Sequence, residues 1–369
     1  MNAFIRLLPS PILTSALVAA ICLLPQSQPL EAQSQVQKIA KKFETSFQRS
    51  YQQQKFNGVI LVGSKAGIVS HKAYGFQTPE RTKMNPDAVF NLASVSKQFT
   101  ALAVMMLAED GRLKLSDPVS KYLPQIHTPG IQIQHLVYHT SGLPDYMDGM
   151  EDFFENDKIQ YATNQHLLQY FDQARPANDF ALGTRHEYSN TGYVVLASII
   201  EKASGQSYAS FLKNRIFQKA GMRHSYVCPA TVTQDDPLRA IGFERQGQKL
   251  IRYNEEWVDG MVGDGNVCSS APDLFRYVQA LRSGRLLSAS KMQQLFTSGR
   301  LKNGQKLNYG FGWNTVPSGS WVDHTGSWVA FNTYLGIDLD DDLVFIALDN
   351  SDNEDLPDQV ESVLDQFYD

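Results

Sequence analysis

The chain has 369 residues, 43% of them hydrophobic and 19% charged, with a formal net charge of -5. That length and apolar content support a large globular core, of about two lobes. The mild acidity, without a basic stripe, excludes nucleic acid as an expected partner.

Residues 1–32 read as a secretory signal. Arg6 and the free amine form a positive n-region, Ile12 to Leu24 is a short apolar run, and Ala32 is a small residue at a cleavage position. The run is too short for a comfortable membrane span. An uncleaved anchor is the blander alternative, and a lipid anchor on Cys22 is disfavoured by the bulky Ile21 before it. Removal of the signal leaves 33–369 as a mature chain with no stable membrane span, exported to the periplasm or secreted. Cys228 and Cys268 then remain, an even number in an oxidising compartment. A disulfide between them is expected, against the alternative of two buried thiols.

Along the mature chain, Val36, Ile39, Ala40, Phe43 and Phe47 recur at helical spacing and predict a helix over Gln35–Gln54. Gly58–Val62 and Ile68–Tyr74 read as strands joined by a turn near Lys65–Gly67. Phe99–Ala108 is apolar almost all round, which places a helix there in the interior. From about Ser116 to Gly221 the signals are mostly helical, with firm helices at Thr191–Ala203, closed by Gly205, and Ser207–Ala220, closed by Gly221. Tyr309–Thr315, Trp321–His324, Asn332–Leu339 and Leu343–Leu348 read as strands, and Leu356–Phe367 as a closing helix. Strands at both ends and helices between predict an α+β fold. An antiparallel sheet flanked by helices would be assembled from both termini, with a helical lobe inserted over about 116–221.

Ser-x-x-Lys occurs at Ser94–Lys97, Ser210–Lys213 and Ser288–Lys291, and context separates them. Ser210 and Lys213 lie off the apolar face of Tyr208, Phe211, Leu212 and Ile216, and so face water. Ser288 stands where a helix begins and reads as an N-cap. Ser94 and Lys97 open the helix that is apolar all round. Residues three apart share a helix face, so the amine can reach the hydroxyl. Burial disfavours a charged amine and so favours its use as a base. Free N–H groups of the first helical turn favour developing negative charge on the serine. The alternative is a buried lysine paired with a structural carboxylate.

Tyr188-Ser-Asn190 precedes a helix. Its tyrosine suits proton transfer beside a lysine, and its asparagine offers a donor and an acceptor. The plainer reading is a loop tyrosine and an N-cap asparagine. His324-Thr-Gly326 follows a strand. Its glycine permits close backbone approach, its edge could pair with a peptide, and Thr325 and His324 could hold a carboxylate. A strand end with a turn glycine is the alternative.

In this order, Ser94-Val-Ser-Lys97, Tyr188-Ser-Asn190 and His324-Thr-Gly326 resemble the three active-site motifs of penicillin-recognising serine enzymes. The Tyr-x-Asn form is similar to the branch holding class C β-lactamases, DD-peptidases and esterases. His139-Thr-Ser-Gly-Leu-Pro144 and Gly263-Asp-Gly-Asn-Val-Cys-Ser-Ser270 extend the likeness, which spans the chain from about Gln35. Class C β-lactamases usually carry lysine at the position of His324, and the histidine form is more like certain DD-peptidases and esterases.

The resemblance implies a β-lactamase/transpeptidase-like fold and acyl transfer through an ester on Ser94. Lys97 and Tyr188 are the base candidates, Asn190, His324, Thr325, Gly326 and Ser327 would contact substrate, and the N–H groups of Ser94 and Ser327 would form the oxyanion hole. No metal or other cofactor is called for. The expected substrate is a small molecule or short peptide, handled by a DD-peptidase or esterase-type hydrolase. A class C-type β-lactamase and a non-catalytic envelope binding protein on the same fold are the rivals. Gly-x-Ser-x-Gly and His-Glu-x-x-His are absent, and the resemblance makes His139 a loop residue rather than a base.

Overall fold

The computed structural model describes residues 27–231, 236–253 and 255–368. The signal expected over 1–32 lies outside the described residues as far as residue 26. The first helix, α1, spans Ser27–Gln52 and buries Ile39, Ala40, Phe43 and Phe47 along one stripe. Strands β1 (Gly58–Ser64) and β2 (Gly67–Tyr74) form a hairpin. A short β3 (Phe90–Asn91) leads through a one-turn 3-10 helix, Ala93–Ser96, into α2 (Lys97–Glu109). Between α2 and Tyr226 the described residues form helices and loops only.

The strands β4 (Tyr226–Val227) and β7 (Val267–Ser269) join β3 in a small sheet, and β5 (Phe243–Gln246) and β6 (Lys249–Arg252) form a separate hairpin. The remaining strands are β8 (Asn314–Thr315), β9 (Trp321–Trp328), β10 (Phe331–Asp338) and β11 (Val344–Asp349). They complete a six-stranded antiparallel sheet in the order β2-β1-β11-β10-β9-β8. The β-lactamase/transpeptidase-like α+β architecture is therefore observed, with the sheet built from both ends of the chain.

The central strands are buried on both faces, and period-two alternation divides their side chains between two cores. Val59, Leu61, Val344, Ile346 and Leu348 face the core that contains α2, the helix Asn190–Ser204 and the helix Ala271–Arg282. Ile60, Val62, Phe345 and Ala347 face the other, closed by α1 and the terminal helix Leu356–Tyr368. The main core is continuous from the sheet into the helices of the middle segment. Among the described residues no helix is long and apolar enough to cross a membrane.

Two expected elements differ. Only Asn314–Thr315 of the strand expected over Tyr309–Thr315 is a strand, because Gly312 takes φ +74° and folds the segment back into a Tyr309–Asn314 bridge. The run Ser207–Ala220 is helical but changes to a π-turn over Lys213–Phe217. Ser210 and Lys213 are exposed there, and Ser288 occupies an N-cap position without a capping hydrogen bond.

Cys228 and Cys268 are joined by a disulfide, which ties β7 to the segment following β4. Titration of protein unfolded without reductant should detect neither thiol, and reduction should lower stability by about 4 kcal/mol on the chain-entropy estimate. Two titratable thiols would refute the bridge.

Candidate active site

Ser94 owes its position to a strained turn. Ala93 takes φ +46°, a left-handed value unfavourable for a residue with a side chain, and Asn91 Oδ1 stabilises it by accepting the Ala93 N–H at 2.9 Å. The chain thus turns from β3 straight into the helical entrance, with Ser94 in its first turn. From β7, the Val267 N–H donates to Ser96 Oγ at 2.9 Å and the Val267 carbonyl accepts from Leu92 at 2.8 Å. The small sheet therefore fixes the turn from behind.

Lys97 is fully buried. Its Nζ lies 3.1 Å from Ser94 Oγ, 2.9 Å from Asn190 Oδ1 and 2.8 Å from the Asp264 carbonyl oxygen. Three acceptors match the three N–H groups of an ammonium. The same geometry serves a neutral amine, which donates to Asn190 and Asp264 and accepts the Ser94 proton. The acceptor at Asp264 is its backbone carbonyl. Its carboxylate instead accepts from the Tyr146 hydroxyl at 3.0 Å, and burial pushes that carboxyl up, against the pull of the Lys97 charge. Gly263 makes this approach possible: its φ is +118°, and a Cβ there would strike the Tyr193 carbonyl oxygen.

Asn190 begins the helix Asn190–Ser204, which Ser189 caps by accepting the Gly192 N–H at 3.2 Å. Tyr188 lies just before it, 43% exposed, with its ring centroid 4.7 Å from Lys97 Nζ. His139 holds both neighbours of this tyrosine. Its carbonyl accepts from Glu187 at 3.0 Å and its Nδ1 accepts from the Ser189 N–H at 3.0 Å. The imidazole also packs at 4.5 Å against the Tyr188 ring. An accepting Nδ1 requires a neutral ring, and burial together with the Lys97 charge lowers the His139 pKa well below 6.5. His139 is thus a scaffold for Tyr188.

The opposite wall is β9. Its pairing with β8 ends at Asp323, so beyond that residue this edge carries no strand among the described residues. The hairpin to β10 closes at Trp328 and Phe331 around two residues with positive φ, Val329 and Ala330. Counting the antiparallel alternation from that closing pair turns the Ser327 N–H toward the free edge. Gly326 packs against the Leu92 carbonyl and Ser94 N, where a Cβ would not fit. Ser94, Asn190 and Ser327 open onto one cleft of about 250 Å³, walled by Tyr146, Met147, Val258, Asp259, Met261 and Trp328.

Two expected substrate contacts are placed elsewhere. Thr325 alternates onto the other side of β9 and lines a separate groove of about 620 Å³ beside the terminal helix, with Trp321, Tyr334 and Glu361. His324 is buried, with Nε2 3.1 Å from the Tyr309 hydroxyl and Nδ1 2.6 Å from the Thr325 carbonyl. Burial first, and the Lys97 charge second, push its pKa down to about 3. It is neutral at pH 7 and presents no charge to a substrate carboxylate. Tyr146, Asp259 and Trp328 are cleft residues without a sequence signal, since loops distant in the chain bring them together. Asp264 lay inside a motif already noted, but its backbone role was not legible.

An imidazole held near 3 in the folded chain and near 6.5 in the unfolded one leaves the proton to the unfolded state. Its stabilising contribution is intact above pH 6.5 and falls by about 1.4 kcal/mol per unit as pH drops toward 3. The stability difference between wild type and His324→Asn, measured by urea unfolding, should narrow by about 2 kcal/mol from pH 6.5 to pH 5. A difference independent of pH would mean that His324 titrates normally.

The family described as Beta-lactamase matches residues 38–367. A penicillin-binding protein of Bacillus subtilis (strain 168) is 35% identical in an alignment of 329 positions that covers 85% of this chain and 72% of that protein. The octameric penicillin-binding protein homologue from Pyrococcus abyssi superposes with TM-score 0.72 at 27% identity, over 85% of this chain and 74% of that one. The penicillin binding protein from Bacillus halodurans superposes with TM-score 0.75 at 24% identity, over 88% and 99%.

Proposed function

Because this chain belongs to the Beta-lactamase family, of penicillin-binding-protein and serine-hydrolase fold, we propose that it is an exported acyl-serine hydrolase of the DD-peptidase or esterase type, acting on small peptides or esters. One observation carries the reading: a buried lysine amine 3.1 Å from the hydroxyl of a serine that opens onto a cleft. A buried amine with only a structural task needs acceptors but no access, whereas Ser94 gives this one access.

In the proposed reaction the neutral Lys97 amine takes the Ser94 proton as Oγ attacks the substrate carbonyl carbon. Asn190 and the Asp264 carbonyl keep the amine aligned with two hydrogen bonds while it gains charge. The Ser94 and Ser327 N–H groups receive the developing oxyanion. Tyr188, stacked over the new ammonium, gives its hydroxyl proton to the leaving group as the carbonyl re-forms, and the Lys97 ammonium restores that proton to Tyr188, which leaves the amine neutral again. Water then repeats the sequence on the acyl ester and frees Ser94. Gly326 lets the β9 edge come close enough to Ser94 for both N–H groups to serve one oxygen. His324 supports this wall from within through Tyr309.

A fluorophosphonate probe should label the tryptic peptide containing Ser94, and the label should vanish in Ser94→Ala. Lys97→Ala should slow acylation by about 10²- to 10⁴-fold, the usual range for a lost general base. Label on Ser210 or Ser288, or Lys97→Ala acylating at the wild-type rate, would overturn the assignment.

A further inference from the structure

The charges around the cleft bear on which acyl groups enter it. Its lining includes two carboxyl groups, Asp259 and Asp264, and no lysine or arginine among the described residues. The nearby cations do not line the cleft, although Arg239 attracts Asp259 from the adjoining cavity that both of them line. Lys97 lies beneath Ser94, with its amine held by Ser94, Asn190 and the Asp264 carbonyl. Arg239 is buried behind Asn266 in an adjoining cavity of about 40 Å³, where Nη1 donates to Cys228 Sγ at 3.4 Å and the guanidinium lies 5.9 Å from the Phe331 ring centroid. No ion pair joins Arg239 to Asp259 among the described residues. Of the imidazoles near Tyr188, His139 and His324 are buried with their pKa values pushed well below 6.5, and desolvation also lowers that of His186, which packs beside His139 and Tyr309.

Asp259 is the carboxylate a ligand would meet. It is only partly buried, whereas Asp264 is 9% exposed and engaged by Tyr146. Trp328 Nε1 donates to Asp259 Oδ1 and the Glu256 N–H to Oδ2, both at 2.8 Å. Each oxygen keeps a further lone pair, and the indole bond fixes the carboxylate against the end of β9, the strand that carries Ser327. A substrate carboxylate brought here would meet like charge on a wall without lysine or arginine, and the Arg239 charge reaches Asp259 only from the adjoining cavity. An ammonium would find a fixed counter-charge in a partly desolvated cleft.

We propose that Asp259 makes this site selective for acyl donors bearing an amino group near the scissile carbonyl, such as amino-acid esters or amides, and against donors bearing a carboxylate. The inference rests on the acyl-serine reading and narrows its substrate class.

The test uses one alanine p-nitroanilide scaffold, in both configurations, with a free amine, an N-acetyl or an N-succinyl group. The expected order of kcat/KM is free amine, then N-acetyl, then N-succinyl, with at least tenfold between the first and the last. Asp259→Asn should lower kcat/KM for the free amine about tenfold more than for the N-acetyl compound. In wild type, the advantage of the free amine should fade as pH rises through the pKa of the substrate amine, a readout that needs no variant. Ser94-dependent turnover with the N-succinyl compound equal or preferred, or an equal loss on all three in Asp259→Asn, would overturn this inference and leave the acyl-serine reading intact. Absence of Ser94-dependent turnover and of Ser94 labelling would overturn both.

Discussion

An amine taken out of water must have its hydrogen bonds replaced, and Lys97 imposes that condition on the whole region around Ser94. Its three acceptors come from three separate parts of the chain: Ser94 in its own helical turn, Asn190 at the head of a helix, and the Asp264 carbonyl in a glycine turn. Each is fixed in turn by something else. The Ser94 turn is gripped by β7, the Asn190 helix is capped by Ser189, and the Asp264 backbone passes under Tyr193 only because residue 263 lacks a side chain. Had any of these elements docked out of place, a buried nitrogen would lose an acceptor. A penalty of that kind selects one arrangement sharply.

Much of this arrangement was legible in the residues. The all-round apolar pattern of α2 placed Lys97 in the interior, and the same reasoning set Ser210–Lys213 and Ser288–Lys291 aside. Local chemistry decides such cases: capping serines, terminal glycines and helical period are properties of short segments. The faces of β9 were also within reach, since alternation alone separates Thr325 from His324 and Gly326. The error lay in treating three adjacent residues as one contact surface. The His324 charge state was beyond sequence reasoning, because the groups that bury it, Tyr309 and Tyr188, are brought in by the fold. The cleft wall of Tyr146 and Asp259 was hidden for the same reason. The expected strand at Tyr309–Thr315 gave way to glycine geometry at Gly312, a signal that was present and outweighed by the aromatic pattern.

The aromatic and imidazole side chains around Tyr188 form one packed cluster. His139 packs 4.7 Å from Tyr309 and 5.0 Å from Tyr193, and Tyr309 in turn meets His324 edge-on at 5.9 Å. Neutral rings give a positive amine a polarisable floor without competing for its proton. A cluster of charged imidazoles in the same place would repel the lysine.

The sheet has a consequence for when the molecule becomes competent. The β1 strand pairs with β11, so Gly58 lies opposite Asp349 across nearly the whole chain, and β9 enters only after residue 320. Contacts so distant along the chain form slowly and late. The residues around Ser94 can become helical early, but the wall carrying Ser327 has nothing to dock against until the last strands have emerged. A growing chain, or one threaded unfolded through a translocation pore, therefore carries Ser94 before the β9 wall of its cleft exists. The cleft is completed at chain closure, in whichever compartment that closure happens.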